Sequence, residues 1–359
     1  MNTIRYGILG AGMMGQEHIR NIALLDGAEV AAFVEPDPGM ARIAAGLVPD
    51  ARRFGTLAEM LPEIDALVIA TPNDLHLRQL EEAAASPVPL LMEKPLYTDP
   101  DDADRVLAVA RGYGAPVWVA MEYRYMPPVA AFLDRVEGAT GGIRMLTLRE
   151  HRFPFLDKVG DWNRRNARSG GTLVEKCCHF FDLMRLILRD DPVRVMASGA
   201  QDVNRICEAD VWDNAYVIVD FARGARALLE LCMFAEGSEY QEHLAAMGPR
   251  GMLEAKVVGP GRFWPAHLGA PPVPVLVESP REPRGPRIEA VPVPEALLAA
   301  GDHNGSTFYQ HQRFAAVVRG EGRVEVTPED GAWAVRMGYA AQESARTGRA
   351  VDLSPPASS

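Results

Sequence analysis

The run Gly10-Ala11-Gly12-Met13-Met14-Gly15 constrains this chain more than any other feature, because it lies between a strand pattern, Ile4 to Leu9, and a helical one, Met14 to Leu25. A G-x-G-x-x-G run in that setting opens a dinucleotide-binding βαβ unit. The first glycine permits the tight turn, and the second lets a pyrophosphate approach the backbone. The third lets the helix pack on the strand. The helix start then offers free N–H groups and positive partial charge to the anion.

The following segments agree with a parallel sheet covered on both faces. Glu29 to Val34, Ala66 to Ala70, Pro89 to Met92 and Val117 to Met121 read as strands, with helical spacing such as His76 to Ala85 between them. Right-handed crossovers make this a doubly wound α/β Rossmann domain. The second strand ends at Val34-Glu35, about 20 residues beyond Gly15, where an acid meets the adenosine ribose 2′-hydroxyl. A carboxylate there repels a 2′-phosphate, and no arginine follows directly. NAD is therefore expected in preference to NADP. Asp37 fits the same part, and either acid also fits a solvated strand end.

At 359 residues the chain exceeds one ordinary core and suits two domains. After Tyr125 the texture changes: Arg144 to Arg149, Arg194 to Gly199, Ala215 to Phe221 and Ala225 to Met233 follow one another as strands with few helices between. The second domain is thus expected to be α+β with a mainly antiparallel sheet. One apolar helix, about Thr172 to Leu188, interrupts it. Pro260 to Pro294 holds ten of the 28 prolines and reads as irregular, with room for an edge strand. Phe308 to Val318 and Pro328 to Thr347 read as helices. The expected division is 1–122, 123–353 and a disordered tail, 354–359.

Composition narrows the partners. Acidic residues number 48 against 37 basic ones, a net charge of −11, which disfavours nucleic acid and anionic membrane. No apolar run approaches the roughly 18 residues needed to span a bilayer, and the amino terminus lacks a secretory layout. Four cysteines in a chain of this length fit a reducing cytoplasm.

Chemistry-bearing residues gather where strands end, the edge at which open α/β sheets bind ligands. Thr71, Pro72 and Asn73 follow one strand and flank the nicotinamide ribose in this reading, while His76 serves equally as a helix start. Glu93 and Lys94 close another; a lysine there can polarise a reacting oxygen, although the tripeptide also suits a surface turn. The helix after Gly170-Gly171 carries Glu175, His179 and Asp182 at spacings that share one face. His179 is a candidate general base, with Glu175 orienting it or binding a substrate hydroxyl, and a satisfied internal network is the plainer alternative. Cys177 and Cys178 cannot converge with Glu175 and His179 on one ion, since adjacent helical positions point about 100° apart, so no metal is expected. Tyr123, Arg124, Trp162 and Asn163 are pocket candidates that suit domain-interface packing as well. His303 and His311, near a predicted helix start, are left outside the site.

The ordered set of motifs resembles the Gfo/Idh/MocA oxidoreductase family, named for glucose–fructose oxidoreductase and inositol dehydrogenase. The set comprises Gly10 to Gly15, Ala70-Thr71-Pro72-Asn73, Glu93-Lys94-Pro95-Leu96 and Arg124-Tyr125-Met126-Pro127. It continues with Gly170-Gly171-Thr172-Leu173, His179, and Val326-Thr327-Pro328-Glu329-Asp330-Gly331. The resemblance implies a carboxy-terminal open antiparallel sheet that mediates homodimers or homotetramers, and Lys94 as catalytic lysine. It also implies hydride transfer between NAD and a secondary alcohol of a sugar, inositol or related polyol. This chain departs from the family in carrying Glu175 where an aspartate is usual. Lys176 and Cys177 stand where an apolar residue and glycine are common. Two rival readings remain: an enzyme that retains NAD and uses transient oxidation for elimination or glycoside cleavage, and a non-enzymatic NAD-responsive regulator.

Overall fold

The computed structural model describes residues 3–205 and 210–353. The tail reading for 354–359 and Cys207 lie outside them. The first sheet is built from β1 (Ile4–Leu9), β2 (Ala28–Val34), β3 (Arg52–Phe54), β4 (Ala66–Ile69), β5 (Leu90–Glu93) and β6 (Val117–Ala120). All neighbours are parallel, in the order β3-β2-β1-β4-β5-β6. Helices α1 (Met13–Ile22), α2 (Pro38–Leu47), α3 (Leu57–Met60), α4 (His76–Ala83) and α5 (Ala103–Arg111) connect the strands. β4, β5 and β6 are buried at every residue, as a sheet covered on both faces requires. Asp37 caps α2 by accepting the Met40 N–H at 2.8 Å, which gives it a structural task next to Glu35.

Beyond a helical turn over Glu122–Tyr125 come α6 (Pro127–Thr140), β7 (Met145–His151), α7 (Asn166–Ser169), α8 (Thr172–Glu175) and α9 (Cys178–Leu188). Then follow β8 (Pro192–Ala200), β9 (Asn214–Phe221), β10 (Arg226–Cys232), β11 (Glu242–Met247), β12 (Gly251–Val257), β13 (Val275–Pro280) and β14 (Arg287–Ala290). The chain ends in α10 (Glu295–Ala300), α11 (Ser306–Val318), α12 (Pro328–Thr347) and β15 (Val351–Asp352). The second sheet has nine strands in the order β14-β13-β12-β11-β7-β10-β9-β8-β15. It is mixed and mostly antiparallel, with β7 and β10 parallel. Strands β10 and β12 alternate strictly between buried and more accessible residues, so one face is covered and the other is open. The proline-rich stretch holds β13 and the edge strand β14.

The linear reading lacked the edge strand β3, and two further features differ from it. The apolar helix expected from Thr172 to Leu188 is broken between Glu175 and Cys178. The Glu175 carbonyl, which a continuous helix would pair with the His179 N–H, accepts instead from Lys94 Nζ at 2.9 Å. Glu175, His179 and Asp182 therefore do not form one helical face. The chain also returns to the first sheet late. α11 packs on α1, Phe314 meets Trp118 edge-on at 6.2 Å, and Val119 donates its N–H to the Val326 carbonyl at 3.1 Å. Among the described residues no helix is long and apolar enough to cross a membrane. None of their side chains group as a metal site.

Candidate active site

The glycine turn has the shape its motif demands. Gly10 holds φ +89°, and a Cβ there would sit 2.8 Å from the Ala70 carbonyl oxygen. A Cβ on Gly15 would lie 2.1 Å from the Gly10 oxygen, so helix and strand touch through that position. At Gly12 a Cβ would meet nothing within 4 Å, which leaves open space beside the uncapped start of α1. Met13 and Met14 form the first turn of that helix. Glu35, at the end of β2, accepts the Ala11 N–H at 2.6 Å and the Asp37 N–H at 2.8 Å. Its carboxylate thus ties the glycine turn to the second strand. Arg53 of β3 donates to the Glu35 carbonyl at 2.8 Å, a guanidinium that the linear sequence places far from this acid.

Thr71 bonds Gln79 at 2.5 Å, and His76 lies within reach of the Pro95 and Thr71 carbonyls at 2.8 and 3.3 Å. Burial lowers the His76 pKa. His76 is thereby occupied with backbone, joining the segments after β4 and β5. Asn73, beyond Pro72, is buried and its Nδ2 has no partner. An orphaned amide at a strand end, an open Gly12 and an uncapped helix start together fit a dinucleotide.

Glu93 ends β5, bonding His18 at 2.9 Å and the Lys94 N–H at 3.1 Å. The Lys94–Pro95 peptide is cis. Lys94 Nζ lies 3.6 Å from Glu175 Oε1, and Lys158 Nζ approaches the same oxygen at 3.8 Å. Burial alone would raise the Glu175 pKa, but Lys94 and Lys158 bring it down to about 2. Burial disfavours charge on Lys94 too; Glu175 outweighs it and holds the ammonium above its ordinary value. Lys158 also lies 4.4 Å over the Trp162 ring, which draws Trp162 into this cluster. Asn163 donates to the Leu156 carbonyl at 3.0 Å and keeps a buried, unpartnered Oδ1.

His179, in the first turn of α9, stacks on Tyr123 with ring centroids 4.1 Å apart. Burial, with Lys94 and Lys176 close by, keeps its pKa well below the imidazole value, so the ring is neutral. The Tyr123 hydroxyl bonds Lys176 Nζ, and Lys176 pairs with Glu150 of β7 at 3.0 Å. Arg124 does not join this group. It is held by Asp182, with Nε to Oδ2 at 2.6 Å, and by the Glu325 carbonyl at 2.8 Å. Cys177 and Cys178 are buried, and burial raises both thiol pKa values.

Sequence reasoning overlooked Glu122, Glu150 and Lys158, and set His303 aside. Lys176 was visible only as a departure from family pattern. Glu122 stands at a strand end beside Tyr123 and was within reach of the strand-end argument, whereas Glu150, Lys158 and His303 reach the site only through tertiary packing.

Two family models cover the chain. Residues 4–121 match the one described as oxidoreductase family, NAD-binding Rossmann fold, and residues 135–353 match the oxidoreductase family C-terminal alpha/beta domain. The inositol 2-dehydrogenase of Rhizobium meliloti strain 1021 is 28% identical over 258 residues, covering 71% of this chain and 76% of that protein. The rhizopine catabolism protein MocA of Rhizobium meliloti is 25% identical over 269 residues, covering 74% and 80%. A crystallised oxidoreductase from Agrobacterium radiobacter, in complex with NAD+, L-tartaric acid and magnesium, shares the fold with a TM-score of 0.81 over 98% of each chain at 21% identity. With both halves matched in order, the chain belongs to the Gfo/Idh/MocA family of oxidoreductases.

Proposed function

We propose that this chain is an NAD-dependent dehydrogenase acting on a secondary alcohol of a sugar, inositol or related polyol. The observation that supports this most is the meeting of Lys94 with Glu175, 81 residues apart in sequence, beside a neutral, buried His179. In this reading residues 1–122 hold the dinucleotide through Gly10, Gly12, Met13, Met14, Gly15, Glu35, Thr71, Pro72, Asn73, His76 and Glu93. A bound nicotinamide supplies the hydride acceptor. Residues 123–353 supply the pocket, with Tyr123, Trp162 and Asn163 on its walls.

Lys94 Nζ hydrogen-bonds the reacting oxygen and stabilises charge developing there. His179 takes the hydroxyl proton. Glu175, shared by Lys94 and Lys158, fixes both ammonium groups and accepts from a neighbouring substrate hydroxyl. Glu35 selects NAD, and Arg53 is the guanidinium nearest to that choice. The open face of the nine-stranded sheet is the surface on which homodimers or homotetramers form.

A panel of sugars, inositols and sugar acids, with NAD and NADP in parallel, tests the reading by NADH absorbance. Reduction of NAD by at least one polyol is the expected result. Clear preference for NADP removes the role given to Glu35. Cofactor that co-purifies and never accumulates in reduced form replaces net oxidation with a transient one.

A further inference from the structure

Glu122 is the least explained charged residue near the site. It lies just beyond β6, is 1% exposed, and neither carboxylate oxygen has a hydrogen-bond partner. An unpartnered buried carboxylate is costly to keep, so retaining one calls for a task. Its Oε1 lies between two imidazoles, 3.6 Å from His179 Nε2 and 3.9 Å from His303 Nε2. His303 is anchored through Nδ1 on Glu17 Oε1 at 2.8 Å, and Glu17 is held in turn by Thr307 at 3.0 Å. The His303 side chain is 21% exposed, whereas His179 and Glu122 are sealed at 1%. The three groups thus form a row from the proposed base to the surface. Both gaps are a few tenths of an ångström beyond hydrogen bonding, as is common before substrate closes a site.

We propose that Glu122 is a proton-relay and positioning residue that accepts from His179 the proton removed from the alcohol, and that His303 carries it on to solvent. The inference rests on the dehydrogenase reading with His179 as base. No bond other than N–H and O–H changes along the row. The proton taken at His179 Nε2 moves to Glu122 Oε1, His303 releases one to water and is refilled from Glu122, and His179 is neutral again for the next turnover. Without such a route His179 can return its proton only through the substrate pocket.

The groups facing Glu122 set when it can accept. Glu93 faces it from the end of β5 and Lys94 from just beyond, His179 and Cys178 from α9, and His303 from the segment before α11. Burial and Glu93 push its carboxyl up to about 7, while His303 and Lys94 pull the other way. His179 is held well below its ordinary value, so a rate step near neutrality does not come from the base. Glu242 is also raised to about 7, by burial and Glu150, which makes the variant comparison essential.

The test uses full-length protein in three forms. Wild type should lose kcat as pH falls through neutrality, because a protonated Glu122 accepts nothing. Glu122→Gln should abolish that step and lower kcat at least tenfold with KM little changed, and Glu122→Asp should restore the step in part. Without substrate, the infrared carboxyl band that titrates near neutrality should lose one component in Glu122→Gln. His303→Asn, which removes a neighbouring positive charge, should move the step to higher pH. A Glu122→Gln enzyme with wild-type kcat and an unaltered pH profile overturns the relay and leaves the dehydrogenase reading standing. Absence of NAD reduction by wild type across the polyol panel overturns both. A wild-type infrared titration identical to that of Glu122→Gln also overturns the relay.

Discussion

Lys94 and His179 divide the proposed chemistry by their opposite electrostatics. Glu175 keeps Lys94 charged, whereas burial and two nearby ammonium groups keep His179 neutral. Lys94→Met should cut kcat about a thousandfold, the range of one lost proton-handling or oxyanion-stabilising group. NADH binding by fluorescence titration should remain near wild type, and near-normal turnover would refute the assignment. Lys176 is the chain's own modification of this balance. Removing its charge in Lys176→Met raises the His179 pKa, so the part of the acid limb of kcat/KM that lies below the Glu122 step should move to higher pH. A limb that stays in place would show that Lys176 does not act on the base.

At the scale of elements, α8 is seated directly against helix α12. A Cβ on Gly338 would sit 2.5 Å from the Leu173 carbonyl oxygen, two residues before Glu175. Gly338→Ala should destabilise the protein by about 2 kcal/mol, as overpacking does, and lower kcat through a displaced Glu175. Chemical denaturation measures the first effect and turnover the second. The Glu17–His303 pair ties α1 to the segment before α11. Burial opposes both charges, yet His303 is raised from 6.5 to about 9 and Glu17 lowered from 4.5 to about 2. The histidine contribution is complete below 6.5 and is lost as pH rises through 9. The glutamate contribution is complete above 4.5 and is lost as pH falls toward 2. The pair is therefore strongest between 4.5 and 6.5. His303→Asn should lower Tm most in that window and least at strongly alkaline pH.

At the scale of the molecule, the second sheet leaves one face open. Ile218 on β9 is 42% exposed and lies opposite Leu228 on β10 and Met196 on β8, and Tyr216 two residues away is 57% exposed. Covering such a patch is favourable at roughly 25 cal/mol per Å² of apolar area. Sedimentation velocity should find a dimer or tetramer, and Ile218→Glu should shift it toward monomer. A wild-type monomer would remove the interface from the reading.

The glycine turn, five of the six strands of the first sheet and the acid at the end of β2 were legible in the linear chain. They answer local demands: a positive φ at Gly10, a helix touching a strand at Gly15, and continuous burial in β4 and β5. The helix break at Glu175 was not legible, because the group that takes up the freed carbonyl is an ammonium from a distant strand end. Arg53 beside Glu35, Lys158 beside Glu175, and Glu122 between two imidazoles escaped for the same reason. Local periodicity records how a segment meets its own neighbours in the chain. Electrostatic partners across two sheets are chosen only when those sheets pack, and that packing decided which charges are paired, which are shared and which stand alone.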